Sequence, residues 1–167
     1  CKLRGICGMY VYTKNYLTMF LSHGYQSAPF KDVKALQAFE HFKYPKAYAL
    51  DYVVDPQAQV LLDSLQEYIG REYISNIYGS NYTIVSNTMW EGIDAGSLEW
   101  HNDAVEGTSS SFLIYMDSSV LGVRGVEELY VHAGTYEYIW VNQGPAFEHK
   151  AVPSGISRRI LGFEFAH

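Results

Sequence analysis

The chain has 167 residues, of which 48% are hydrophobic and 18% are charged, and this size and composition are typical of a single domain with one sizeable core. The formal charge of −6 and the pI near 5.4 argue against a nucleic-acid partner, because non-specific affinity for phosphates comes from clustered Lys and Arg. No apolar run reaches the roughly 18 residues of a membrane span, so we do not expect a membrane partner.

The chain contains two cysteines, Cys1 and Cys7, and both lie at its N-terminal end. A disulfide between them would close only a short loop, so the pair does not form a disulfide framework. This usage favours a reducing, cytoplasmic compartment.

Two amphipathic helices are predicted in the first half of the chain. Residues 31–43 carry apolar side chains at three-residue spacing, and Pro45 follows them. The second helix begins after Asp55, whose carboxylate can cap the free amides, with Pro56 in its first turn. Gly70 offers a stop, and helix can resume over residues 73–77.

From residue 81 onward the pattern changes to short β-rich runs separated by glycines. The predicted strands are residues 82–90, 98–101, 111–116, 127–131, 136–141, 146–152 and 159–165. Helices followed by strands favour a mainly β jelly roll, or double-stranded β-helix, with about two helices packed on one sheet. We expect residues 1–167 to form one domain, in which residues 1–80 supply helical support and N-terminal strands, and residues 81–167 supply the jelly-roll core with a metal site.

The motif His101-Asn102-Asp103 is the strongest chemical signal in the sequence. Residues i and i+2 of a strand point to the same face, so His101 and Asp103 can reach one ion. His149 follows in a segment that continues to Pro153, Gly155 and a pair of arginines. Two imidazoles and one carboxylate can cap one face of a metal and leave the other face open, which is typical of non-haem Fe(II) oxygenases.

Three segments together resemble the 2-oxoglutarate and Fe(II)-dependent dioxygenases, most of all their prolyl-hydroxylase-like branch. They are HND at 101–103, FLIYMD at 112–117 and HKAVPSGISRRILGFEF at 149–165. The resemblance covers residues 88–165 and implies an enzyme in which His101, Asp103 and His149 bind Fe(II). It also implies 2-oxoglutarate as co-substrate, O2 as oxidant and hydroxylation of a C–H bond.

In the family that the chain resembles, a cation nine or ten residues after the second histidine binds the distal carboxylate of 2-oxoglutarate. Arg158 and Arg159 both satisfy this spacing, and strand alternation allows only one of them to point inward. Arg159 shares a face with Leu161, Phe163 and Phe165, so an apolar pocket wall favours Arg159. The resemblance also implies that the Tyr115 hydroxyl contacts the same carboxylate.

The sequence departs from the family pattern at two places. Trp90-Glu91-Gly92 stands where these enzymes often have a Tyr, and Leu161 stands where many have Ser or Thr two residues after the Arg. These departures leave room for a non-catalytic jelly-roll module that binds or assembles within a larger protein or particle. They also leave room for a cupin-like enzyme that keeps the metal without 2-oxoglutarate.

The resemblance makes a prolyl residue of a peptide the first expected substrate, with a free amino acid or another small metabolite as the alternative. We expect substrate choice to lie in loops such as residues 105–110 and 120–125.

Overall fold

The computed structural model describes residues 19–47, 49–93, 98–104 and 107–167. Cys1 and Cys7 lie outside the described residues. The strands are β1 (Tyr25–Pro29), β2 (Thr83–Gly92), β3 (Ser110–Tyr115), β4 (Ser119–Arg124), β5 (Glu128–Ala133), β6 (Glu137–Asn142), β7 (Glu148–Ala151) and β8 (Arg158–Ala166). The helices are α1 (Val33–Gln37), α2 (Pro56–Ile69) and α3 (Ser75–Tyr78), with π-helical turns at Met19–His23 and Gly70–Ile74.

The strands form two antiparallel sheets. One has five strands in the order β1-β6-β3-β8-β2, and the other has three strands in the order β5-β4-β7. From β3 onward the chain passes back and forth between the sheets: β3, β6 and β8 lie in the five-stranded sheet, and β4, β5 and β7 lie in the three-stranded one, as in a jelly roll. This arrangement confirms the predicted mainly β fold with helices packed on one sheet.

The hydrophobic core has two layers, one on each face of the five-stranded sheet. The outer layer packs the helices against this sheet, and it includes Leu62 and Ile69 of α2 together with Phe112, Phe163 and Phe165. The inner layer lies between the two sheets and contains Tyr115, Leu121, Val123, Ile139, Val141 and Ile160. Strand β8 is therefore buried on both faces.

Helix α2 begins where the sequence predicts. The Asp55 carboxylate accepts hydrogen bonds from the backbone N–H groups of Gln57 and Ala58 at 2.8 and 3.4 Å. The α-helix ends at Ile69 with Gly70 as its C-cap residue, and helix then resumes through the π-helical turn into α3. Gly70 itself keeps helical dihedrals. A Cβ at Gly70 would lie 2.6 Å from the Tyr82 hydroxyl, so close packing explains this glycine.

Strand β4 occupies residues that the sequence assigned to a loop. Gly122 and Gly125 suggested turns there, but Gly122 lies within β4 and pairs with Tyr130 of β5 and Lys150 of β7. A Cβ at Gly122 would lie 3.0 Å from Lys150 Cγ and 3.2 Å from the Trp100 ring. This glycine therefore reflects close side-chain packing rather than a turn. Helix α1 is also shorter than the predicted 31–43 segment.

Candidate metal centre and its cavity

His101 and His149 are brought together by backbone pairing. His101 N–H donates to the His149 carbonyl at 3.0 Å, and His149 N–H donates to the His101 carbonyl at 2.9 Å. Residues that exchange both hydrogen bonds in an antiparallel pair project their side chains to the same face. The two imidazole ring centroids are accordingly 4.3 Å apart. His149 is also held from the other side, because β7 pairs with β4.

Asn102 anchors the turn that places Asp103 beside the two histidines. Its side-chain amide nitrogen lies 2.8–3.0 Å from the carbonyl oxygens of Gln143, Gly144 and Phe147. Its side-chain oxygen accepts a hydrogen bond from Ala104 N–H at 2.8 Å. The backbone N–H of Asp103 itself donates to Gln143 Oε1 at 3.0 Å. Neither Asn102 nor Gln143 was predicted to act at the site.

The three predicted ligands converge. Asp103 Oδ2 lies 3.0 Å from His149 Nε2 and 3.4 Å from His101 Nε2, and one ligand atom from each residue lies within 4.8 Å of the others. The hydrogen bond from His149, together with the charges of both imidazoles, lowers the pKa of the Asp103 carboxyl despite partial burial. An ionised carboxylate is the form that binds a metal.

The donor set fits a divalent transition metal. His101 Nδ1–H donates to the Glu99 carbonyl at 2.8 Å, which leaves the Nε2 lone pair directed at the site. His149 Nδ1 is buried and has no hydrogen-bond partner within the described part of the chain. His149 is nearly buried, His101 is partly exposed and Asp103 is half exposed, so one side of the site faces solvent.

A cavity of about 110 Å³ opens beside the three ligands, between the two sheets. Its walls are largely apolar, and they are made by Trp90, Leu113, Leu121, Ala151 and Ile160. Its polar walls are the three candidate ligands, Ser111 and Glu164. In the tripeptide Trp90-Glu91-Gly92, which differs from the family pattern, Trp90 therefore lines the cavity. Its neighbour Glu91 forms an ion pair with Lys46 instead.

The two arginines lie on opposite faces of β8. Ile160 and Glu164 line the cavity, and Arg158 shares their face by strand alternation. The structure therefore contradicts the inward orientation predicted for Arg159. The Arg159 guanidinium forms ion pairs with Asp117 and Glu40. The face of β8 that carries Arg159 packs on the helices through Leu161, Phe163 and Phe165.

Arg158 is 1% exposed and its guanidinium is only partly satisfied. Its Nη1 donates to the Ser119 hydroxyl and, at 3.1 Å, to the Val152 carbonyl. Its Nε and Nη2 are buried and have no hydrogen-bond partner among the residues that the structure describes. Buried guanidinium nitrogens are normally paired, so these two open donors make Arg158 a candidate anion-binding residue.

Tyr115 lies on the same inner face as Arg158. It is paired with Ile160 across β3 and β8, and side chains directly opposite in a sheet share a face. Burial raises the pKa of the Tyr115 hydroxyl above its usual range, and the positive charge of Arg158 partly opposes this. The structure thus brings Tyr115 and Arg158 together. With Arg158 inward, the residue two positions later is Ile160, so the expected Ser or Thr is again replaced by an apolar side chain.

No family model matches this sequence, and no curated protein sequence matches it. Solved structures do match its fold. A prolyl hydroxylase from Trichoplax adhaerens, solved with a peptide fragment of the hypoxia inducible factor oxygen degradation domain, has a TM-score of 0.63 and 13% identity over 98% of this chain and 93% of its own. A 2-oxoglutarate-Fe(II) oxygenase family oxidoreductase from Burkholderia pseudomallei has a TM-score of 0.68 and 13% identity over 92% and 90%.

HygX from Streptomyces hygroscopicus, solved with nickel and 2-oxoglutarate bound, has a TM-score of 0.62 and 12% identity over 92% of this chain and 86% of its own. At these identities the likeness concerns the fold. The chain therefore has the jelly-roll fold of the 2-oxoglutarate and Fe(II)-dependent oxygenases, prolyl hydroxylases among them.

Proposed function

We propose that this protein is an Fe(II)- and 2-oxoglutarate-dependent dioxygenase that hydroxylates a C–H bond. The observation that carries the proposal is the convergence of His101, Asp103 and His149 within 4.8 Å at the edge of an inter-sheet cavity. The fold is one that such oxygenases use.

His101, Asp103 and His149 would hold Fe(II), because imidazole and carboxylate suit this ion and three protein ligands leave positions open. Iron bound there with 2-oxoglutarate would supply the oxidising chemistry, in which one oxygen atom of O2 ends in succinate, the other ends in the substrate hydroxyl, and CO2 is released. The protein's own residues fix the three donors through the His101–His149 backbone pair and the Asn102 and Gln143 side chains.

Arg158 would bind the distal carboxylate of 2-oxoglutarate. Its Nε and Nη2, which no described residue pairs, would supply donors for a planar carboxylate, and burial would strengthen the attraction between the two charges. Tyr115, on the same inner face, would add a hydroxyl donor. Leu121 and Ile160 would pack against the methylene groups of the co-substrate and exclude water.

The substrate would enter the site from solvent past Asp103, which is half exposed at the edge of the cavity. The Trichoplax relative was solved with a peptide, which supports a peptide side chain as one class of substrate. A small metabolite is the other class. Within the described residues no helix is long and apolar enough to cross a membrane.

The test is an anaerobic titration of the protein with Fe(II) and 2-oxoglutarate, followed by the weak visible absorption band of the metal chelate. We expect the band in the wild-type protein and its loss in Asp103→Ala and His149→Ala. Asp63→Ala, which changes a carboxylate on α2, is the matched control, and this variant should still show the absorption band. Admission of O2 should then produce succinate slowly without added substrate.

Metal affinity that persists in an Asp103→Ala, His149→Ala double variant would contradict the assignment of the ligands. Iron-loaded protein that binds 2-oxoglutarate but releases no succinate would favour a cupin-like or non-catalytic role for the same fold.

A further inference from the structure

Glu164 places a carboxylate in the wall of the cavity that contains the candidate metal ligands. It lies on β8 four residues after Ile160, so both side chains point between the two sheets. In the sequence this residue alternates with Phe163 and Phe165 and resembles the solvent-facing position of a strand. The structure instead buries most of its side chain.

One hydrogen-bond donor of the described part of the chain reaches this carboxylate. The Ser111 hydroxyl donates to Glu164 Oε2 at 2.5 Å, and Ser111 in turn accepts from Gln143 Nε2 at 2.8 Å. Across the described ranges of the chain no Lys, Arg or His forms an ion pair with Glu164. The charged group that acts on it is another carboxylate, that of Asp103.

Burial raises the pKa of the Glu164 carboxyl to about 7, the Ser111 hydrogen bond lowers it, and the charge of Asp103 raises it further. The free protein therefore holds this charge at a cost. An apolar side chain would fill the same wall without that cost, and an uncompensated carboxylate facing a cavity is typical of a ligand site.

An indole ring lines the same cavity as the carboxylate. Trp90 packs over Gly162, the residue between Ile160 and Glu164 on this face, since a Cβ at Gly162 would lie 2.8 Å from Trp90 Cζ3. Trp90 also lines the cavity. An aromatic face beside a carboxylate is a combination that binds ammonium and guanidinium groups, through cation–π attraction and charge-assisted hydrogen bonds.

We propose that Glu164 and Trp90 form a recognition site for a cationic group of the substrate, an ammonium or a guanidinium. This inference rests on the proposed function, because it takes the same cavity to be the place of hydroxylation. The cation would neutralise Glu164, as the metal neutralises Asp103. The reacting C–H bond would then belong to a basic side chain or an amine.

The test uses four blocked amino acids, the N-acetyl methylamides of lysine, arginine, norleucine and citrulline. Blocking removes the terminal charges, so each cationic probe differs from its neutral counterpart mainly in the side-chain charge. Calorimetric titration is done with the protein loaded with Mn(II) and 2-oxoglutarate, and again with metal-free protein. We expect at least one cationic probe to bind about 10- to 100-fold more tightly than its neutral counterpart.

Glu164→Gln should remove this preference, while Glu67→Gln, which changes an exposed carboxylate on α2, should retain it. Trp90→Leu should lower the affinity for the cationic probe about 5-fold or more. This variant tests the site without changing the carboxylate. Equal binding of cationic and neutral probes, or an unchanged preference in Glu164→Gln, would overturn the proposal. So would a loss of metal affinity in Glu164→Gln, because Glu164 would then be a metal ligand.

The two proposals fail in different ways. If the wild-type protein forms no Fe(II)–2-oxoglutarate chelate, the proposed function fails, whatever the probes do. If the chelate forms equally in the wild type and in Glu164→Gln but no cationic preference exists, only the recognition site fails.

Discussion

Arg158 and Arg159 are neighbours in sequence, yet they occupy opposite environments. The Arg159 guanidinium donates two hydrogen bonds of 2.9 Å to the Asp117 carboxylate and one of 2.7 Å to Glu40. Arg158 is more deeply buried, and within the described residues only the Ser119 hydroxyl and the Val152 carbonyl accept from it. One positive charge is neutralised by the fold and the other is not.

The difference separates a structural cation, Arg159, from the cation that we propose as the ligand-binding one, Arg158. Arg159 joins the segment after α1, through Glu40, to the turn after β3, through Asp117, so its network stabilises the contact between helical layer and sheet. Arg158 has no carboxylate partner within the described residues, and under the proposed function the distal carboxylate of 2-oxoglutarate would compensate its charge. Four predictions follow this contrast from the largest expected effect to the smallest.

Arg158→Met should abolish the affinity for 2-oxoglutarate while leaving the fold intact. Removal of a buried charge partner weakens binding by roughly 100-fold or more, and loss of an unpaired buried cation should leave the melting temperature unchanged or raise it. Calorimetric titration of the Mn(II)-loaded protein with 2-oxoglutarate measures the first effect, and thermal unfolding measures the second. Arg71→Met, which changes an exposed arginine, is the control. Unchanged affinity in Arg158→Met would remove Arg158 from the site.

Arg159→Met should have the opposite profile. It leaves Asp117 and Glu40 without their cation, and we expect the free energy of unfolding to fall by roughly 2 kcal/mol. The affinity of the folded protein for 2-oxoglutarate should stay within about twofold of wild type. Chemical denaturation and the same titration check both points. A large loss of 2-oxoglutarate affinity with normal stability would restore the preference for Arg159 that the sequence suggested.

Glu164→Gln should stabilise the metal-free protein at pH 8. The folded-state pKa of about 7 lies above the ordinary value of 4.5, so the contribution of this carboxyl to wild-type stability is highest below pH 4.5 and falls as the pH rises towards 7. The neutral amide avoids this loss, which we expect to be about 1–2 kcal/mol after solvent relaxation. Thermal unfolding of both proteins from pH 4 to 8 gives the measurement. A stability difference that does not change with pH would contradict the assignment.

The contribution of the Asp117 carboxyl to stability should depend on pH in the opposite direction to that of Glu164, and this is the smallest of the four expected effects. Its hydrogen bonds from Arg159 lower its pKa below the ordinary value of 3.8. The stabilisation is therefore fully present above that value and is lost as the pH falls through the folded-state pKa. We expect less than about 1 kcal/mol, because the pair is partly exposed. NMR titration of Asp117 in the wild type and in Arg159→Met checks the direction, and an unshifted Asp117 would contradict it.

Much of the architecture could be predicted because its signals are local. The Asp55-Pro56 cap marks the start of α2, and alternating side chains mark six of the eight strands. Strands β1 and β4 were missed, since β1 is five residues long and the glycine within β4 resembles a turn signal. Asn102, Gln143 and Ser111 were missed for a different reason. Their roles depend on partners about 30 to 50 residues away in the chain.

The sequence by itself identified the candidate metal ligands, two histidines and an aspartate that the fold brings together. Its family resemblance also pointed to the arginine pair as candidates for the carboxylate anchor. Only the tertiary structure decided which face of β8 looks into the cavity. Both faces of this strand are buried, one against the helices and one against the second sheet, so apolar alternation cannot distinguish them. The more apolar face packs on the helices, and the face with Arg158 and Glu164 points between the two sheets.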